Sequence, residues 1–150
     1  MLLHLGVLDV PYNQVPSKRQ RKARAGTVTT GDVAGWLENR YHIMEIYFEQ
    51  HKEDVAKSLE NSIAGALESF LMGAPVTLDA LGPATSEIED GFKQFLAQGE
   101  MEKIGFPGVP TAAALAGINH RFKNPRTGRR RVSFVDTGLF LASFRAWIDG

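Results

Sequence analysis

The sequence contains no cysteine among its 150 residues, which excludes thiol nucleophiles, iron–sulfur clusters, cysteine-ligated zinc and disulfide staples. It has only four histidines, and no apolar run approaches the roughly 20 residues that a membrane span requires. The opening Met-Leu-Leu-His-Leu-Gly lacks the basic stretch of a secretion signal, which predicts a soluble chain that is not exported by that route. Also missing are a Gly-rich phosphate loop, His-Glu-x-x-His, Gly-x-Ser-x-Gly and a calcium loop. The expectation is a protein that is not an enzyme and that uses no cofactor and no metal. Its size is ordinary: a domain of this length buries about 70% of its unfolded surface, enough for one core without staples. A single domain over residues 1–150 is therefore predicted.

Seventeen basic and seventeen acidic side chains cancel, but they are unevenly placed. Residues 1–31 carry Lys18, Arg19, Arg21, Lys22 and Arg24 against Asp9 alone, a net of +4. Residues 32–103 set fourteen acids against five bases, a net of −9. Residues 104–150 carry Arg121, Lys123, Arg126, Arg129, Arg130, Arg131 and Arg145 against Asp136 and Asp149, a net of +5. An acidic centre between basic ends suits head-to-tail docking of one copy on the next, which closes into rings or grows into filaments. It suits contact with a polyanion equally well. We favour the protein interface, because the complementary acid lies in the same chain.

The pattern predicts a mainly α chain with a minor β element. Residues 2–10 are apolar and of strand length, and Pro11 and Pro16 stop any regular element, so residues 1–31 read as a short strand followed by an extended basic arm. Residues 32–150 read as a helical body with a basic loop at 120–131. Thr29-Thr30-Gly31-Asp32 opens a segment free of proline until Pro75. Its apolar positions Val33, Trp36, Leu37, Tyr41, Met44, Phe48, Val55, Leu59, Ile63, Leu67 and Phe70 recur at threes and fours, apart from a step across the polar residues 51–54. One helix over 32–72 would be about 60 Å long. Either it folds back near residue 51 as a helical hairpin, or other subunits cover it. Shorter helices are predicted from Ser86, as the cap, to Gly99, and from Pro110-Thr111 to Ala116. Val132–Val135 has strand character, and residues 139–148 fit either a helix or a strand.

Few residues suggest chemistry. His42 and His51 lie half a turn out of phase on a straight helix and cannot share a metal, whereas His42 and Glu45 or Glu49 share a face. Asp136-Thr137-Gly138 reads as a turn with side-chain capping rather than half of an acid dyad. Crowding of Trp36, Tyr41, Tyr47 and Phe48 beyond one narrow stripe points to a helix packed on two sides. We take these four, with Asp136, Thr137, Phe144 and Trp147, as candidate subunit-interface residues. Lys18, Arg19, Arg21, Lys22, Arg24, Arg121, Lys123, Arg126, Arg129, Arg130 and Arg131 are the candidate contacts to a partner or to DNA, where binding would be non-specific and salt-sensitive.

Gly105-Phe-Pro-Gly-Val-Pro-Thr-Ala-Ala-Ala-Leu-Ala-Gly-Ile-Asn-His-Arg-Phe-Lys123 and Arg131-Val-Ser-Phe-Val-Asp-Thr-Gly-Leu-Phe-Leu-Ala-Ser-Phe-Arg-Ala-Trp-Ile148 resemble virion proteins of tailed bacteriophages. Ser133-Phe-Val-Asp-Thr-Gly-Leu139 is similar to the Asp-Thr-Gly signature of neck and tail-completion proteins, and Thr30–Ile46 is similar to phage structural proteins of the same group. The resemblance implies a homo-oligomeric ring of six or twelve copies in the virion neck, as a collar, connector or tail terminator. Such a ring is assembled in the host cytoplasm, joins the portal on one side to tail proteins on the other, and lines the DNA exit channel. A small non-specific nucleic-acid-binding protein is the alternative.

Overall fold

The computed structural model describes residues 2–12, 28–75, 79–118, 128–135 and 138–149. Among these the chain is mainly helical, with one small antiparallel sheet. Strand β1 (Leu2–Val7) is followed by an extended stretch that is tied back to the start of the first helix. The Thr30 hydroxyl donates to the Leu8 carbonyl at 2.5 Å and accepts from the Val10 N–H at 2.8 Å. Thr30 N–H reaches Val10 O, Tyr12 N–H reaches Val28 O, and the Asp9 carboxylate accepts from Gly31 N–H. Thr30 is fully buried, and this net gives its hydroxyl both a donor and an acceptor partner.

Helix α1 (Thr30–Tyr41) begins with a capping box, in which Thr29 and Asp32 each accept from the other's backbone N–H. It ends at His42, whose left-handed backbone (φ 50°, ψ 44°) turns the chain directly into α2 (Ile43–Leu71). His42 provides no side-chain cap for α2. Glu38 does so from the preceding turn, accepting from Met44 N–H at 2.8 Å and from Glu45 N–H at 3.2 Å. A carboxylate there satisfies two orphan donors and sits at the positive end of the helix dipole. The polar step at residues 51–54 coincides with a kink at His51 (φ −115°, ψ 17°) but not with a fold-back, and the sharp corner lies nine residues earlier. With neither Gly nor Pro at 42, that corner depends on Glu38 reaching across it.

Helix α3 (Gly82–Ala97) starts earlier than expected: Pro83, with fixed φ and no N–H, occupies its first turn, and Ser86 lies inside the helix rather than capping it. Two short helices follow, α4 (Glu100–Ile104) after left-handed Gly99 and α5 (Ala112–Leu115) capped by the Thr111 hydroxyl. Val132–Val135 is not the strand its composition suggested. Ser133 is drawn inward by Glu102 and Thr111, and Phe134 takes φ 68°, so the chain turns there. Residues 139–149 use both expected conformations in succession, α6 (Leu139–Ser143) and then β2 (Phe144–Asp149).

Strands β1 and β2 pair antiparallel from Leu2 opposite Asp149 to Val7 opposite Phe144. Trp147 lies across β1, stacked on His4 at 5.3 Å, and Gly6 leaves the space for it: a Cβ there would fall 2.9 Å from the indole. The Ala146 N–H points away from β1 and donates to Glu89 of α3, which fastens the sheet to the helix. The core lies between the first half of α2, α3 and β2. Phe92 stacks on Phe144 at 3.8 Å and meets Tyr47 edge-on at 5.3 Å. The Tyr47 hydroxyl donates to Ile88 O at 2.9 Å beside Gly91, where a Cβ would lie 2.5 Å from that oxygen. Phe92→Ala should cost about 3–5 kcal/mol in urea unfolding, because it empties the point where all three elements meet. A loss below about 1 kcal/mol would show that the stack contributes little to the core.

Candidate functional site

The first half of α2 is anchored by buried Ile43, Tyr47 and Val55, and no later residue of the helix is buried. The sixteen residues that follow Val55 extend for about 24 Å at 1.5 Å per residue. Helices of this length are marginal in water without tertiary packing. Yet this segment is not polar: Ile63 is 47% exposed, Leu67 57%, Phe70 61% and Leu71 76%, with Met72 at the tip 78%. Their spacing of four, three and one places the first four on one stripe. At 100° per residue that stripe lies across the helix from Ser58, Ser62 and Gly65, which continue the line of Tyr47 and Val55 toward the chain's own body. The apolar face is therefore the one that turns away from the core.

The interface residues expected from sequence are divided by the fold. Tyr47 and Phe144 are consumed by the core, at 2% and 0% exposure, and are not free to meet a neighbour. Tyr41 is half-buried between Phe106 and Phe134, edge-on to both. Trp36, Phe48 and Trp147 are exposed. Asp136 and Thr137 lie outside the described residues. The stripe on the outer half of α2 was visible as helical periodicity, and the length of the helix indicated that the chain could not cover all of it, but not which end would be left exposed.

Of the basic residues, Lys18, Arg19, Arg21, Lys22, Arg24, Arg121, Lys123 and Arg126 lie outside the described residues. The residues flanking both basic segments are joined: Tyr12 to Val28 at 3.0 Å, and Ala116 to Gly128 at 3.1 Å. These bonds join described residues on either side of the two stretches; the stretches themselves lie outside the described residues. Gly117, at φ 63°, has to be glycine here, since a Cβ would collide with the backbone of Gly128 and Arg129. Arg130 pairs with Glu102 at 2.8 Å and the Arg131 guanidinium donates to Ile118 O at 3.0 Å, whereas Arg129 is exposed.

Glu102 holds this region together. Its carboxylate accepts from the Ser133 N–H, the Ser133 hydroxyl and Arg130, and the Ser133 oxygen in turn accepts from Thr111 N–H. Burial alone would raise its pKa. The Ser133 and Arg130 hydrogen bonds and the Arg130 charge outweigh burial and hold it below the usual carboxylate value. On α2, burial and the nearby Asp54 and Glu100 push Tyr47 up to about 12, so its hydroxyl stays a neutral donor. Among the described residues, Glu38, His42 and Glu45 bring potential metal ligands within 4.8 Å of one another. Both Glu38 oxygens are engaged in capping α2, which accounts for the cluster without an ion. Among the described residues no helix is long and apolar enough to cross a membrane.

Because the folded pKa of Glu102 is depressed, its stabilisation is complete above the ordinary carboxylate range and is lost as pH falls through the folded value. Glu102→Gln should lower stability at pH 7 by about 1–3 kcal/mol. Stability of the variant should also fall less than that of the parent between pH 5 and pH 3, measured by urea titration at each pH. An equal acid dependence in the two proteins would show that Glu102 is not a principal acid-sensitive link.

The chain matches no protein-family model, no curated protein and no solved structure.

Proposed function

We propose that the chain is a subunit of a homo-oligomeric ring in the neck of a tailed-phage virion, between portal and tail, where it joins head to tail and lines the DNA exit channel. The observation that carries this reading is the uncovered outer half of α2, an apolar face that the chain's own body leaves in water. Monomeric soluble proteins rarely leave so large an apolar surface on one element, and the usual reason is an interface. The resemblance of residues 30–46, 105–123 and 131–148 to neck and tail-completion proteins supplies the setting.

The role is mechanical and electrostatic rather than catalytic. Helix α2 provides the contact between subunits, and the Phe92–Phe144 core holds that helix rigid against the sheet. The two basic segments present positive charge to an acidic neighbour or to DNA in the channel. Partners on either side would be a portal or connector ring and tail proteins, and the localisation would be the virion.

The test is the mass of the purified protein in solution by light scattering over a salt series, alone and with a portal ring. A closed oligomer, or a monomer that becomes a ring on the portal, is the expected result. A small species that stays small with the portal, and shifts DNA with a steep salt dependence, would overturn the reading in favour of a non-specific nucleic-acid-binding protein.

A further inference from the structure

The apolar stripe has an obvious size and an unfilled counterpart. Taking about 200 Å² as the full exposure of a large apolar side chain, Ile63, Leu67, Phe70, Leu71 and Met72 leave roughly 600 Å² in water. Each partner in a standard stable complex buries about 800 Å², so this one helix face already supplies most of such a contact. Around the helix from it, between α2 and the segment that leads into α3, runs an open groove of about 520 Å³. Its floor is made of small residues, Ser62, Gly65 and Ala66 on one side and Ala74, Ala80 and Pro83 on the other, and Asn61, Asp79 and Glu87 add polar groups to the wall.

Gly65 strengthens the case. A glycine inside a helix costs about 1 kcal/mol relative to alanine. Among the described residues nothing accounts for it here, since a Cβ at Gly65 would meet none of their atoms within 4 Å. The chain's own packing therefore leaves room at this position that only another body could use. The stripe carries a single acid, Glu68, between Ile63 and Met72, while Asp79 and Glu87 stand in the groove wall, so the seat is for the apolar side chains alone.

We propose that the occupant of the groove is a second copy of this chain: Leu67 and Phe70 of one copy seat over Gly65 and Ser62 of the next. Bulky and small surfaces lie on different sides of one helix, so the contact is heterologous, with each copy giving its stripe to one neighbour and its groove to the other. An isologous pairing of two stripes would leave the groove empty. The proposal rests on the ring reading above and specifies which surfaces make the ring.

The absence of cysteine allows a direct test, because every thiol is an introduced one. Leu67→Cys and Ser62→Cys are prepared separately, and circular dichroism is recorded to confirm that each keeps its fold. Mixed and oxidised at high protein concentration, the two should give a covalent dimer, while each alone gives little. Gly65→Leu should reduce the oligomer to a monomer without loss of helical signal, as should Leu67→Asp. An equal mixture of those two variants should recover dimers and nothing larger, since one intact stripe meets one intact groove. Self-cross-linking of Leu67→Cys alone would overturn the proposal in favour of a two-fold contact. Full oligomer mass in both Gly65→Leu and Leu67→Asp would also overturn it, while leaving the ring itself intact. A parent that stays monomeric with and without a portal ring, and gives no cross-link in either case, would remove both.

Discussion

The structure depends on one mismatch of lengths: helix α2 runs for 29 residues, and the rest of the chain buries only its first half. The buried half is held firmly. Ile43, Tyr47 and Val55 face α3, the Tyr47 hydroxyl bonds to Ile88, and Phe92 carries the contact through to Phe144 on β2. Beyond Leu59, which still packs against the edge of the core, the outer half gains none of this, and helix propensity alone is a weak substitute. Helix α2 is thus fixed to the body at one end and carries an exposed apolar surface at the other.

A second constraint fixes where the basic charge emerges. Thr30 is buried and bonds to both Leu8 and Val10, so the stretch after β1 is fastened to the start of α1. Asp9 reinforces the point; the Thr29 hydroxyl and Gly31 N–H hold its carboxylate below the ordinary pKa. The same arrangement recurs at Gly117 and Gly128, where two backbones approach closely enough to exclude a Cβ. In both places the body spends hydrogen bonds on the base of a basic segment. The described residues that flank these stretches are therefore held by the start of α1 and the end of α5.

Much of this was legible in the sequence, and the failures have definite causes. The helical periodicity, the early strand, the mainly α class and the short helix after Pro110 follow from spacing and capping residues that act locally. The corner at His42 was not legible, because it is made by a left-handed histidine and a glutamate four residues earlier, and neither is a breaker in its own right. Val132–Val135 misled because strand propensity cannot foresee that Glu102, some thirty residues away, captures Ser133. Tyr47 and Phe144 were placed at an interface because aromatic crowding on a helix does not reveal which rings meet inside the chain. The exposure of Ile63, Leu67 and Phe70 was half legible: a helix of about 60 Å was too long for the chain to cover alone, but only the extent of α3 shows which of its residues are left exposed.

Energetics explains why a closed ring suits this surface better than a lone dimer. Roughly 600 Å² of apolar area at about 25 cal/mol per Å² gives on the order of 15 kcal/mol before any cost. Association removes an estimated 4–15 kcal/mol in lost translational and rotational freedom, and ordering of Leu67, Phe70 and Met72 removes more. One such contact is therefore weak to moderate. In a closed ring, however, the last subunit makes two contacts for a single loss of freedom, so closure adds favourable energy without a second association cost. A pre-existing ring that positions the subunits would lower the cost further by raising their effective concentration. In the proposed ring, a surface of this strength would keep free subunits mostly apart and commit them only when the circle can be completed, which is the behaviour an assembly intermediate requires.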